Sequence, residues 1–217
     1  MAALRFLQVI LFLPALICLY LAILFSLIRA GEHLEVTREG NSLLDVAAEI
    51  SLWPMPDLNV ALANYDRKRA ANITDEKERH QLLLDVRDNW LEASRLRPGW
   101  PYYQIGALST ESVLAGVEAK DLQARFDQIT SMAPNERGID RPMFELGFWI
   151  WSKLRRDQQD WLVKRIESSA LPTTVRFALE KADLHGVRAV VCVRLSWSVS
   201  KVHCKKTAWP RKLRSVF

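Results

Sequence analysis

The side chains that could perform chemistry in this chain are four histidines, three cysteines and 25 aspartates and glutamates. His33, His80, His185 and His203 stand outside any H-E-x-x-H helix, and neither a phosphate-cradling glycine loop nor a G-x-S-x-G elbow occurs. His185, Cys192, His203 and Cys204 carry the atom types zinc prefers. Their Cys and His pairs lack ligand spacings such as C-x-x-C, so no metal is expected. Cys192 and Cys204 suit a disulfide in an oxidising compartment, where closing the loop would contribute ~2–3 kcal/mol. Two free thiols is the alternative if the body faces the cytoplasm. Cys18 lies in an apolar run and cannot join them. Glu76 with Glu78 and Asp85 with Asp88 fit charge-rich, solvated helix faces better than a general acid/base pair. Asn72-Ile73-Thr74 is a glycosylation sequon, meaningful only in a eukaryotic secretory context. The residues thus indicate no catalytic group and no cofactor.

Aromatic rings are the second chemical resource: Trp90, Trp100, Tyr102, Tyr103, Trp149, Trp151 and Trp161. Such rings can stack on sugar faces, although at helical spacing most of them pack between helices. Trp100, Tyr102 and Tyr103 are the best surface candidates, because a proline-bounded turn begins there. With Arg97 they form the candidate partner surface.

These groups must be positioned by a chain of 217 residues, 49% hydrophobic and 25% charged, with a mean hydropathy of −0.04. That composition excludes a disordered or collagen-like chain, and three cysteines exclude a disulfide-stapled scaffold. The hydrophobic residues are concentrated at the start. Phe6 to Ile28 is an uncharged run bracketed by Arg5 and Arg29. As a helix it would be roughly 35 Å long, enough for a ~30 Å hydrocarbon core. A cleavable signal peptide has a shorter apolar region and ends in small residues, whereas Ile28-Arg29-Ala30 matches A-x-A poorly. The spacing therefore predicts an uncleaved anchor over residues 1–30. The Lys and Arg flanking it do not settle its orientation; the five-residue flank before it fits a start-transfer anchor with the body outside the cytoplasm.

The body, residues 31–186, reads as all-α. Leu43, Leu44, Ala47, Ala48 and Ile50 make a helical face that stops at Trp53-Pro54. Asp57 is a candidate cap for a second helix, and Thr74 for a third carrying Leu83, Val86, Trp90 and Ala93. Arg97-Pro98-Gly99 ends that helix, and Pro101 suits the first turn of the next. Leu122, Phe126, Ile129 and Met132 repeat the three-four spacing. So do Phe144, Phe148, Trp151 and Leu154 after Pro142, and Val175, Ala178, Leu179 and Ala182 before Gly186. Pro98, Pro134 and Pro172 recur at an interval suited to two short helices, which is the size of a tetratricopeptide unit. The degenerate W-L-x-A-x-x-L-x-P over Trp90–Pro98 fits such a unit too. A non-repetitive helical bundle accounts for the same breakers.

The basic segment 187–217 differs from the body. After Asp183 there is no acidic residue, against eight Lys or Arg. Val187, Ala189, Val191, Val193, Leu195, Trp197 and Val199 alternate like a strand, while Val191, Leu195, Ser198 and Val202 would line a helix. Lys201, Lys205, Lys206, Arg211, Lys212 and Arg214 could hold anionic lipid headgroups at ~1 kcal/mol each, a solvated terminus being the alternative.

The run from Arg97 to Leu108 (RPGWPYYQIGAL) is followed by Met132-Ala133-Pro134, and then by Trp149 and Trp151 before Lys153-Leu154. Over residues 1–183 the chain resembles the VpsP-type accessory proteins of bacterial polysaccharide biosynthesis. The resemblance implies an N-terminally anchored inner-membrane protein with a small periplasmic helical domain, and it carries no catalytic residue. It implies a non-catalytic scaffold for exopolysaccharide or O-antigen assembly, with the lipid bilayer and other assembly proteins as partners and with no nucleic acid or metal. The alternatives are a membrane-anchored enzyme of glycan or lipid metabolism, and a cytoplasmic-facing module whose basic tail binds nucleic acid.

Overall fold

The structure, a computed structural model, describes residues 2–33 and 42–204, with side chains from Phe12 in the first stretch and from Leu43 in the second. Among the described residues every regular element is helical and no strand occurs: the protein is all-α. In chain order the helices are α1 (Ala2–His33), α2 (Ser42–Ile50), α3 (Pro56–Asn72), α4 (Glu76–Leu96), α5 (Pro101–Glu111) and α6 (Ala119–Met132). They continue as α7 (Asp140–Trp149), a 3-10 turn (Trp151–Lys153), α8 (Arg156–Glu167), α9 (Pro172–Leu184), α10 (Arg188–Arg194) and α11 (Trp197–His203). The chain divides into two compact units, Met1–Thr110 and Glu111–Phe217.

In the first unit α1 carries the apolar run, and Phe12–His33 is long and apolar enough to cross a membrane. Phe12, Leu13, Leu16, Ile17 and Leu19 are exposed, as a lipid-facing surface would be. Further along, one face turns inward. Leu24 and Ile28 are buried with Leu44 and Ala47 of α2 and with Leu58, Ala61 and Tyr65 of α3. Ala63 of α3 enters a second cluster with Val86, Trp90 and Ala93 of α4 and Tyr103 and Ala107 of α5. Because α3 has helices on both sides, it is apolar on two faces.

The prolines act where the sequence places them. Pro56 and Pro101 each occupy the first helical position, where a missing N–H costs nothing. Two caps differ from expectation. Asp57 lies inside the first turn of α3, whose N-cap is Met55 with no side-chain bond. The cap of α4 is Asp75 rather than Thr74: its carboxylate accepts the Glu78 N–H at 2.7 Å, a charge-assisted bond stronger than a hydroxyl would make.

Asp66 of α3 is influenced by acids on the two neighbouring helices. Burial pushes the Asp66 carboxyl above its ordinary 3.8; Arg69 opposes the rise, while Asp45 of α2 and Asp85 of α4 add to it. The folded protein therefore holds this proton more tightly than the unfolded chain. Stability falls as pH rises from 3.8 through the raised folded value. Asp66→Asn is expected to flatten that slope and to stabilise the protein at pH 7; thermal melts between pH 4 and pH 8 that keep the wild-type profile would disprove it.

In the second unit Phe126 of α6, Phe144 and Phe148 of α7, Leu162 and Ile166 of α8, and Ala178 and Ala182 of α9 are buried. Phe144 and Phe148 stack at 6.0 Å, and Trp161 stands edge-on to Phe126 at 5.7 Å. Helix α7 starts two residues before Pro142, at Asp140, which leaves the proline in the first turn. Helix α9 ends in a Schellman motif. Gly186 adopts φ +71°, its N–H bonds Asp183 O at 3.0 Å, and Val187 N–H bonds Ala182 O at 2.8 Å. The segment after it, open between strand and helix by periodicity, is helical. Helix α10 buries Val191, and Arg194 at its end pairs with Asp160 of α8 and donates to Gln159 Oε1 at 2.8 Å. That guanidinium holds the Asp160 carboxyl below its usual range.

Candidate functional site

The candidate surface is the turn joining α4 to α5. Pro98 bars the residue before it from helical geometry, so Arg97 leaves the helix at φ −138°, ψ 74° while its N–H still bonds Ala93 O at 3.0 Å. Trp100 N–H then bonds Arg97 O at 3.2 Å, and Pro101 opens α5. The turn thus presents Trp100, 46% exposed, with the half-buried Tyr102 ring 5.3 Å away. Arg97 is exposed and donates from Nη1 to the Tyr103 hydroxyl at 3.3 Å.

Tyr103 does not belong to this surface. It is buried, its ring 6.4 Å from Trp90, and burial pushes its phenol above the ordinary value against the lowering effect of Arg97. The helical period explains the difference: Tyr102 and Tyr103 are about 100° apart around α5, so one can face outward only if its neighbour turns toward α4. Tyr103 instead supports the patch, fixing the arginine from below. Ser94 and Gln104 brace the same helices from inside, with a buried bond of 2.6 Å.

The other chemical residues are dispersed. Cys192 and Cys204 form a disulfide between α10 and the end of α11. His185 packs edge-on against Trp149 at 5.5 Å, and Cys18 is exposed on α1. Among the described residues no group of three or more His, Cys, Asp or Glu is gathered at a point. Glu76 faces Arg79 at 3.8 Å, Asp88 pairs with Arg87 at 2.7 Å, and Asp85 accepts from Gln81 at 3.3 Å, as on a solvated face. Of the basic segment only Lys201 among the proposed headgroup contacts is described, exposed on α11. Lys205, Lys206, Arg211, Lys212 and Arg214 lie outside the described residues.

A groove of about 460 Å³ in the second unit is lined by Pro172, Arg176, Glu180, Arg188, Val202 and His203 among others. Arg176 faces Glu180 at 3.8 Å, and Arg188 donates to the carbonyls of Leu179 and His203. Arg176 and Arg188 are thus engaged by protein atoms.

Sequence patterns did not reveal one polar junction. The Tyr20 hydroxyl, within the apolar helix, donates to Ile50 O at 3.0 Å and accepts Leu52 N–H at 2.9 Å. The single tyrosine of the Phe6–Ile28 run is the sequence signal that points to it.

The fold and this arrangement define an all-α protein with an N-terminal helix long and apolar enough to cross a bilayer and an exposed aromatic turn in its first unit. No protein-family model, curated protein or solved structure matches the chain.

Proposed function

We propose that this protein is a single-pass, non-catalytic scaffold of the bacterial inner membrane. Its helical body, a tetratricopeptide-like stack, stands in the periplasm and docks a partner of exopolysaccharide or O-antigen assembly. The observation that carries the reading is the Arg97–Trp100–Tyr102 turn. A half-exposed indole beside a second ring and a fixed guanidinium has the composition of an interface hot spot. The apolar helix supports the membrane location, and the resemblance of the Arg97–Leu108 run to polysaccharide accessory proteins supports the class of partner. Removing Trp100 costs the fold little, because about half of the residue already faces solvent.

Trp100→Ala is expected to change stability by less than about 0.5 kcal/mol and to abolish recovery of partners on co-purification from native membranes. The same partners recovered with wild type and variant would overturn the assignment of this turn. A reporter fused after Phe217 that is active only in the cytoplasm would overturn the periplasmic placement.

A further inference from the structure

The corner between α1 and α3 presents an unusual combination. Helix α2 runs back along α1, so that Ile50 at its end meets Tyr20. The chain beyond it exposes Leu52 at 76% and Trp53 at 44%, with the Trp53 ring edge-on to Tyr20 at 5.6 Å. On the outer side of α1, Leu21, Ile23 and Phe25 are also exposed. Two apolar surfaces thus stand at one level of the helix, one on α1 and one on the turn packed against it. One turn beyond Phe25 the chemistry changes. Arg29 lies over the Phe25 ring at 5.1 Å and pairs with Glu32 at 2.9 Å, as suits water.

We infer that Leu52 and Trp53 form a second membrane contact, seated in the headgroup layer of the same bilayer that α1 crosses, with Tyr20 and Trp53 marking the boundary of the hydrocarbon. This rests on the membrane-anchor reading above. Charge decides the depth. A hydrocarbon boundary at Ile28 would sink Tyr20 about 12 Å below it, taking the exposed carboxylate of Glu49 into lipid. With the boundary at Tyr20, Glu49 lies among headgroups. The Tyr20 hydroxyl satisfies the backbone of the α2 end, and the indole sits where amphipathic rings are enriched. The first unit is then held at a fixed height and rotation by two contacts rather than hanging from one helix.

The test uses the full chain with Cys18→Ser, its disulfide oxidised, in phosphatidylethanolamine and phosphatidylglycerol vesicles. A polarity-sensitive fluorophore is attached at Leu52→Cys, and in separate preparations at Leu13→Cys on α1 and Glu76→Cys on α4. All three positions are exposed, so the labels leave the core intact. The probe at position 52 is expected to emit blue-shifted light and to be quenched more by nitroxide lipids labelled near the headgroup than by those labelled near the chain terminus. The probe at position 13 should show the reverse preference, and that at position 76 neither. Quenching at 13 without quenching at 52 overturns the second contact and leaves the anchor standing. Strongest quenching of 52 by chain-terminal nitroxides overturns the depth. Absence of quenching at all three positions overturns the anchor and this inference with it.

Discussion

Asp140→Ala is expected to destabilise the second unit by about 3–5 kcal/mol, the range for removing one partner of a buried ion pair. The side chains of Arg165 and Asp140 are 8% and 3% exposed. Arg165 Nε donates to Asp140 Oδ1 at 2.6 Å, Nη1 to Pro134 O at 2.9 Å and Nη2 to Glu136 O at 2.6 Å. One guanidinium thus gathers the chain between α6 and α7 onto α8, and its face covers Trp161 at 5.2 Å. Removing the carboxylate leaves a buried cation with neutral acceptors only, and Arg137, 3.5 Å from Asp140 Oδ2, cannot move in to neutralise it because it is a cation too. Arg165→Lys should also be costly, since an ammonium cannot reach three acceptors in the plane of a guanidinium. Asp140→Asn keeps an acceptor and should cost less. Hydrogen exchange of peptides covering residues 133–166 in detergent reads the effect locally. Opening should accelerate by roughly two to four orders of magnitude in the alanine variant. Exchange unchanged from wild type would show that the clamp does not hold this unit together.

That clamp was invisible in the sequence. Arg165 and Asp140 are 25 residues apart and obey no helical or strand spacing; only the packing of α7 on α8 brings them together. The same holds for Glu111 and Arg125, which meet through two bonds of 2.6 and 3.0 Å. What the sequence did disclose was chemistry with a local cause. Proline and Gly186 act on their own dihedrals, so the breaks at Pro98 and Pro101 and the cap of α9 were legible, whereas the start of α3 at Pro56 was assigned to Asp57. Apolar periodicity found the buried faces of α4, α6, α7 and α9. The segment 187–203 stayed open because seven-residue helices carry too few turns for a period to stand out. Tyr103 was placed at the surface for a related reason. A turn names the residues near it, but only the direction of α5 decides which of two adjacent tyrosines faces water.

The direction of α5 depends on Gly106. A Cβ built there would come within 2.4, 2.5 and 2.7 Å of ring atoms of Trp90, a residue 8% exposed in the core between α4 and α5. Glycine in a helix interior costs about 1 kcal/mol relative to alanine, so propensity alone would favour replacement. The contact reverses the sign: an indole wedged among Ala63, Ala93, Tyr103 and Ala107 has no small rotation that clears the space. Gly106→Val, adding three carbons, is expected to destabilise the first unit by about 3 kcal/mol or more, as overpacking at a helix contact does. Gly99→Ala is the control, because nothing lies within 4 Å of its Cβ and it should change stability by less than about 0.5 kcal/mol. Gly147→Ala should fall between them, since the atom it meets first is the end of the Leu162 side chain at 2.5 Å. Urea melts in detergent rank the three, and a valine at 106 as stable as wild type would mean that α5 can retreat from Trp90 freely. The ranking also separates shape from contact at the aromatic turn. Gly106→Val pushes α5 off α4, so it should lose stability and partner capture together, whereas Trp100→Ala should lose capture alone.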